Sequence, residues 1–179
     1  MSIMRWLILT STTLLLSGCF ISDKPLFSPA DAEQPLADGT KLAAFALDSD
    51  GKRKEDGPQT VTLKHIENGY LVSPSDDEPF RVLFDDIGDR YFIGVASDED
   101  PTKSPLYGLF HQTGTSWFAY LPVCSDFRDL AKAQGKSLKD FHIADAESDC
   151  RFTSYEDLKS ALMFLAAHGK PSTEYVTVD

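Results

Sequence analysis

Residues 60–72 read TVTLKHIENGYLV, and this stretch decides the fold class. Residues 60–65 alternate between polar and apolar side chains with the period of two that is typical of a half-buried strand. Glu67-Asn68-Gly69 is a hairpin-turn sequence, and the apolar run Tyr70-Leu71-Val72 follows it directly. The stretch therefore predicts two antiparallel strands joined by a tight turn.

The same signals recur on both sides of this hairpin. Short apolar or alternating runs are separated by turns rich in aspartate, glycine and threonine, with no helical pattern between them. The runs cover residues 42–47, 80–84, 91–95, 106–111 and 116–121. Short strands with turns every eight to twelve residues predict an antiparallel β-meander over residues 39–121, either curled or forming a half-barrel.

Helical signals begin after this meander. Ser125 or Asp126 is the expected cap of a helix that stops at Gly135, and residues 137–143 predict a second short helical piece. Thr153 and Glu156 match a capping box. The next helix carries an apolar stripe: Tyr155, Leu158, Ala161, Leu162 and Leu165. Residues 122–179 are therefore predicted to be mainly helical, with a last strand over 175–178, and the fold class is α+β.

Two cysteines, Cys124 and Cys150, are expected to form a disulfide, because an even pair in an exported protein usually does. Closing this loop would contribute about 3–4 kcal/mol of stability on the chain-entropy model. The alternative is a reactive thiol at Cys124 beside His142. Neither cysteine stands in a Cys-x-x-Cys motif, which favours the disulfide.

The N-terminal segment has the anatomy of an export signal, with Arg5 before a short apolar run that ends in small residues. Leu16-Ser17-Gly18-Cys19 resembles the lipobox of bacterial lipoproteins. The resemblance implies that residues 1–18 are removed and that Cys19 carries the lipid. It also implies a lipid-anchored protein of the bacterial cell envelope, and Phe20 in place of an aspartate favours the outer membrane. An ordinary secretory signal is the alternative.

The rest of the chain divides simply. Residues 19–38 contain three prolines among small and acidic residues, which predicts a lipidated N-terminus and a tether, and residues 39–179 are one domain. The full chain has a net charge of −11, and the mature chain has −12 because the signal segment carries only Arg5. An acidic surface argues against nucleic acid as a partner.

Catalytic and metal-binding motifs are absent from the sequence, so no catalytic residue, metal or cofactor is expected. The histidines His65, His111, His142 and His168 are scattered along the chain. Two acidic clusters, 48–51 and 98–100, invite a calcium interpretation. Their aspartates and glycine are also what tight turns require, and turn chemistry is the better explanation.

Aromatic residues are concentrated in the meander, and some strands carry them at adjacent positions. One face is expected to cover the helices, while the other forms an apolar binding surface that includes Tyr70, Tyr91, Phe92, Trp117 and Phe118. We therefore expect a non-enzymatic interaction module that binds a protein partner in the periplasm or at the cell surface. The first alternative is a lipocalin-like carrier, which requires a closed sheet with an empty apolar interior. The second is an envelope hydrolase whose site assembles in space.

Overall fold

A computed structural model describes residues 19–75, 77–97, 103–143 and 149–178. Residues 16–18 of the lipobox and the acidic cluster 98–100 lie outside the described residues. The elements are, in chain order, β1 Phe20–Ile21, a short 3-10 helix Pro29–Asp31, β2 Lys41–Ala46, β3 Gln59–Ile66, β4 Gly69–Pro74, β5 Phe80–Gly88, β6 Tyr91–Ser97, β7 Leu106–Thr113, β8 Ser116–Tyr120, α1 Cys124–Ala133, a second 3-10 helix Leu138–Phe141, β9 Cys150–Arg151, α2 Tyr155–His168 and β10 Thr173–Val178.

Eight of these strands close into an antiparallel barrel. Strands β2 to β8 follow one another as the predicted meander, and β6 also pairs with β7 in register from Tyr91 to Ala96. Strand β10 then pairs antiparallel with both β2 and β8, which removes the two free edges of the sheet. The β-rich fold with a C-terminal helix is confirmed, whereas the half-barrel is wrong because β10 closes the sheet.

The helices cover one outer wall of the barrel. Alternate residues of β6 and β7 point outward, so Ile93, Val95, Tyr107 and Leu109 are buried in one core with α1 and α2. The apolar stripe of α2 supplies Leu158, Ala161 and Leu162 to this core. The intervening positions point inward and form a second core inside the barrel. The chain therefore has two apolar cores, which the wall of the sheet separates.

The helix caps differ in detail from the sequence predictions. Ser154 caps α2 by accepting a hydrogen bond from the Asp157 amide at 3.2 Å, so the capping pair lies one residue beyond Thr153 and Glu156. Helix α1 begins at Cys124 with Val123 as its N-cap and no side-chain cap, so the expected caps 125 and 126 lie in its first turn. None of the described helices has the length and apolarity needed to span a membrane.

Parts of the predicted tether pack against the folded domain. Phe20 and Ile21 are 0% and 6% exposed, and β1 pairs with both β7 and β9. Leu36, further along the same segment, packs against the core inside the barrel. Burial of these apolar side chains lowers the free energy of the folded state, and a solvated tether would forgo this gain. The prolines of the segment did not indicate that its apolar residues would be buried.

Candidate ligand cavity

A cavity of about 700 Å³ extends from the barrel interior to a rim outside it, and it opens at the end where β6 stops and β7 starts. The side chains on its wall come from inward positions of four strands. They include Phe80, Val82, Ala96, Leu106, Phe110 and Tyr175. A volume of this size is within the range of small-molecule sites, and an eight-stranded barrel has room for one small ligand.

Two opposed glycines form a thin part of the cavity wall. Gly94 on β6 and Gly108 on β7 are cross-strand partners, and both line the cavity. A Cβ atom at Gly94 would come within 2.5 Å of Cε2 of Phe110, so the ring lies directly over this backbone. Glycine permits this close approach. The Phe110 ring therefore occupies the space that a side chain at position 94 would fill, and the small residue Ala96 follows at the next inward position, nearer the mouth.

The other half of the barrel interior is filled by aromatic rings. Phe92 and Trp117 have ring centroids 5.1 Å apart, Phe84 and Trp117 6.5 Å, and Tyr70 and Phe84 5.8 Å. These four side chains are almost completely buried. Bulky residues at inward positions of β4, β5, β6 and β8 thus limit the cavity to the half of the barrel near the mouth.

The N-terminal segment closes the far end of the barrel. The Leu36 amide donates to the Tyr70 hydroxyl at 2.7 Å, and that hydroxyl donates to the Leu36 carbonyl at 2.8 Å. His65 Nε2 lies 2.8 Å from the same carbonyl. The Gln34 side chain donates to the carbonyls of Ile66 and Gly69 at the β3–β4 turn. These contacts hold Leu36 against the interior, opposite the mouth.

Tyr175 on β10 brings a polar group to the cavity wall. Burial raises the pKa of its phenol above the usual value, so the side chain is neutral at physiological pH. Its hydroxyl makes no hydrogen bond to any residue that the structure describes. Tyr175 is half-buried, so its hydroxyl is accessible to a ligand or to water.

The mouth is formed by Cys19, the first residue that the structure describes, and by the segment that follows β8. Cys19, Leu121 and Pro122 line it together with the charged residues Lys103 and Arg151. The Cys19 carbonyl accepts a hydrogen bond from the Cys150 amide at 3.2 Å, which fixes the position of Cys19 in the fold. Burial raises the pKa of the Cys19 thiol, and the nearby Asp149 carboxylate raises it further.

The aromatic residues expected to form one binding surface are divided by the barrel wall. Tyr70, Phe92 and Trp117 point inward and belong to the filled half of the interior. Tyr91 is outside and stacks on His111 with ring centroids 4.1 Å apart. Phe118 also points outward, because it follows the inward-facing residue 117 on β8. The structure therefore does not bring these five residues together, and none of them lines the cavity.

The predicted disulfide between Cys124 and Cys150 is confirmed, with both residues completely buried. Cys124 therefore has no free thiol, and the alternative of a reactive Cys124 is wrong. His142, its supposed base, instead pairs with Asp157 at 2.7 Å, in a left-handed conformation at the end of the second 3-10 helix. The disulfide joins the start of α1 to β9, four residues before α2.

No histidine lines the cavity in the part of the chain that the structure describes. Among the residues that the structure describes, no group of three potential metal ligands occurs. Asp48 is a turn residue, as its Oδ1 accepts hydrogen bonds from the amides of Asp50 and Lys52. The Lys52 hydrogen bond is the main reason that the pKa of Asp48 is lowered. This cluster therefore follows turn chemistry.

The residues that shape the cavity were not identified from the sequence. Gly94 and Gly108 were the available signal, because a glycine inside a strand pattern often marks a close approach of backbone or ligand. Tyr175 had no local signal, since only closure of the barrel places it beside the cavity.

Comparisons of the sequence with protein-family models and with curated proteins give no match, and no solved structure matches the fold.

Proposed function

We propose that this protein is a carrier of a small apolar molecule in the bacterial cell envelope, held at the membrane by a lipid on Cys19. The observation that carries the proposal is the cavity of about 700 Å³ at the open end of a closed eight-stranded barrel. The carrier hypothesis required a closed sheet with an empty apolar interior; the sheet is closed, and the interior is empty in the half near the mouth and filled by aromatic rings in the other half. The other hypotheses required neither.

The lining indicates the chemistry of the ligand. Phe80, Val82, Leu106 and Phe110 offer apolar surface, and each methylene group removed from water there contributes about 0.8 kcal/mol. Tyr175 offers one hydroxyl that lacks a described protein partner. A wall of this composition fits a molecule with a long apolar part and few polar atoms, of which a fatty acyl chain is the simplest example.

The interaction module receives less support than the carrier. Its motivation was the surplus of aromatic residues, and three of the five residues named for it are inside the barrel. The hydrolase receives no support from the histidines. His65 bonds to Leu36 at the closed end, and His111 and His142 lie on the outside with Tyr91 and Asp157.

Trp117 allows a direct test of ligand binding. The chain has two tryptophans, and removal of residues 1–18 leaves Trp117 alone. Trp117 pairs across β8 and β10 with Tyr175, which lines the cavity. We expect a brominated fatty acid to quench Trp117 fluorescence saturably when added to residues 19–179 carrying Cys19→Ser.

A matched pair of variants makes this test specific. Ala96→Phe places a ring in the cavity and should weaken fatty-acid binding at least tenfold. Ala133→Phe adds the same ring on the exposed end of α1 and should leave the binding curve unchanged. Absence of saturable quenching, or equal binding by the two variants, would refute the carrier. Circular dichroism of each variant checks that the barrel is intact.

A further inference from the structure

The site of lipid attachment and the mouth of the cavity are the same place. Cys19 lines the mouth, and the two residues after it are buried at once, Phe20 at 0% and Ile21 at 6% exposure. Cys19 also bridges to Val123, and its carbonyl is bound by the Cys150 amide. A lipid on Cys19 would therefore be attached to a fixed point of the fold, with no spacer between it and the mouth.

An apolar ledge adjoins Cys19. We define it as residues Leu121, Pro122 and Val123, which follow β8 at the rim of the cavity; Pro122 is buried between two exposed side chains. Leu121 is 47% exposed and Val123 is 40% exposed, and only two other large apolar residues are exposed among those that the structure describes. Exposed apolar side chains beside a lipid attachment site gain free energy when they enter the interfacial region of a bilayer.

The charges at the mouth differ from those of the chain as a whole. Lys103 and Arg151 line the cavity together with one carboxylate, Asp149. Asp23 forms an ion pair with Arg151. These four charges sum to zero, while the full chain has a net charge of −11. Among the residues that the structure describes, the charges at and beside the mouth therefore balance, whereas the chain as a whole is acidic, and balanced charge lessens repulsion from anionic headgroups.

We infer that the lipid on Cys19 holds the mouth of the barrel against the bilayer, so that the cavity takes the acyl chain of a bilayer lipid directly. This inference rests on the proposed function and adds to it the source of the ligand and the orientation of the barrel. The acyl chain moves from one apolar environment to another through a rim made of Leu121 and Pro122, so its methylenes avoid most of the cost of crossing water.

The orientation is tested with two reporters at opposite ends of β8. Leu121→Trp places a tryptophan on the ledge, and Thr115→Trp places one on the turn before the strand. Six residues of extended chain separate the two positions by about 20 Å. Both are made in a Trp117→Phe background, as the full lipidated chain. The proteins are reconstituted in phosphatidylethanolamine and phosphatidylglycerol vesicles whose acyl chains are brominated near the headgroup.

We expect the ledge tryptophan to be quenched severalfold more strongly than the turn tryptophan. Equal quenching at both positions, or stronger quenching at 115, would overturn the orientation. Hydrogen exchange on the lipidated wild-type chain gives the same information without substitutions. Vesicles should slow exchange at residues 120–124 and leave residues 113–116 unchanged, and the reverse pattern would also overturn it.

Uptake from the bilayer is tested with the native Trp117. In the lipidated wild-type chain, lipids brominated near the end of the acyl chain should quench Trp117, and Ala96→Phe should abolish this quenching. If the unlipidated domain binds the fatty acid but Trp117 is not quenched in vesicles, uptake from the bilayer is refuted while the carrier stands. An acyl chain of Cys19 itself filling the cavity would give that result. If the unlipidated domain binds no fatty acid, the carrier itself fails.

Discussion

Reduction of the disulfide between Cys124 and Cys150 should destabilise the domain by an amount that the structure allows us to calculate. The two cysteines are 26 residues apart in the chain. On the loop-closure model, opening a loop of this length adds about 12 cal/mol/K to the entropy of the unfolded chain, or about 3.5 kcal/mol at room temperature. A change of 1 kcal/mol shifts the melting temperature of a domain of this size by about 2–4 °C, so we expect a fall of about 7–14 °C.

The assay is thermal unfolding of residues 19–179, carrying Cys19→Ser, followed by circular dichroism. Because both sulfur atoms are buried, the protein is reduced in urea and refolded in the same reductant. The double variant Cys124→Ala/Cys150→Ala should melt at the same temperature with and without reductant. A fall of less than about 3 °C on reduction would refute the loop-entropy argument.

The same bond should also influence the mouth of the cavity. The Cys150 amide binds the Cys19 carbonyl, and Cys124 follows the ledge directly. Reduction removes the covalent link between these two segments, so amide exchange at residues 19–21 and 121–124 should increase more than exchange in β3 and β4. Uniform loosening of the whole barrel would show that the disulfide stabilises the domain without fixing the mouth.

Two further predictions concern the cavity wall and the surface. Gly94→Ala should weaken fatty-acid binding more than Gly108→Ala. A Cβ atom at position 94 meets the Phe110 ring at 2.5 Å, whereas the atom nearest to a Cβ at position 108 is the end of the flexible Leu121 side chain at 2.9 Å. Equal binding by the two variants in the fluorescence titration would contradict this prediction. Asp157 raises the pKa of His142, so the stability from this pair is fully present below the unfolded value of about 6.5 and is lost as pH rises through the higher folded value. The melting temperature of wild type should therefore exceed that of His142→Asn near pH 6 and approach it near pH 9, and a difference that does not depend on pH would exclude the ion pair.

The cavity shows that the same alternating pattern can produce an open part and a filled part of the barrel interior. On β6, the inward positions are Phe92, Gly94 and Ala96, and the two nearer the mouth are small. On the neighbouring strand β7, Phe110 faces the space that Gly94 leaves. An alternating pattern specifies which side chains share a face, while their sizes specify how much of the interior they fill.

The local elements of this protein were predictable from its sequence. The hairpin at residues 60–72 forms β3 and β4 as predicted, and the structure places His65 opposite Tyr70. The disulfide was predictable because two cysteines remain once Cys19 is assigned to the lipid. The stripe of α2 was also predictable, because helical periodicity identifies the buried face wherever the helix packs. Each of these features depends on residues that are close in the sequence or few in number.

Only the tertiary structure decided that the sheet closes, that the barrel contains a cavity and that its mouth adjoins Cys19. Closure depends on β10 pairing with β2, and Val178 opposite Lys41 is a contact between residues far apart in the chain. No local pattern distinguishes a strand that ends an open sheet from one that joins its two edges, since both alternate with a period of two. The prolines of residues 19–38 indicated a tether, but burial of Phe20 and Ile21 and the partial burial of Leu36 outweighed that local preference. That packing brings Cys19 to the cavity.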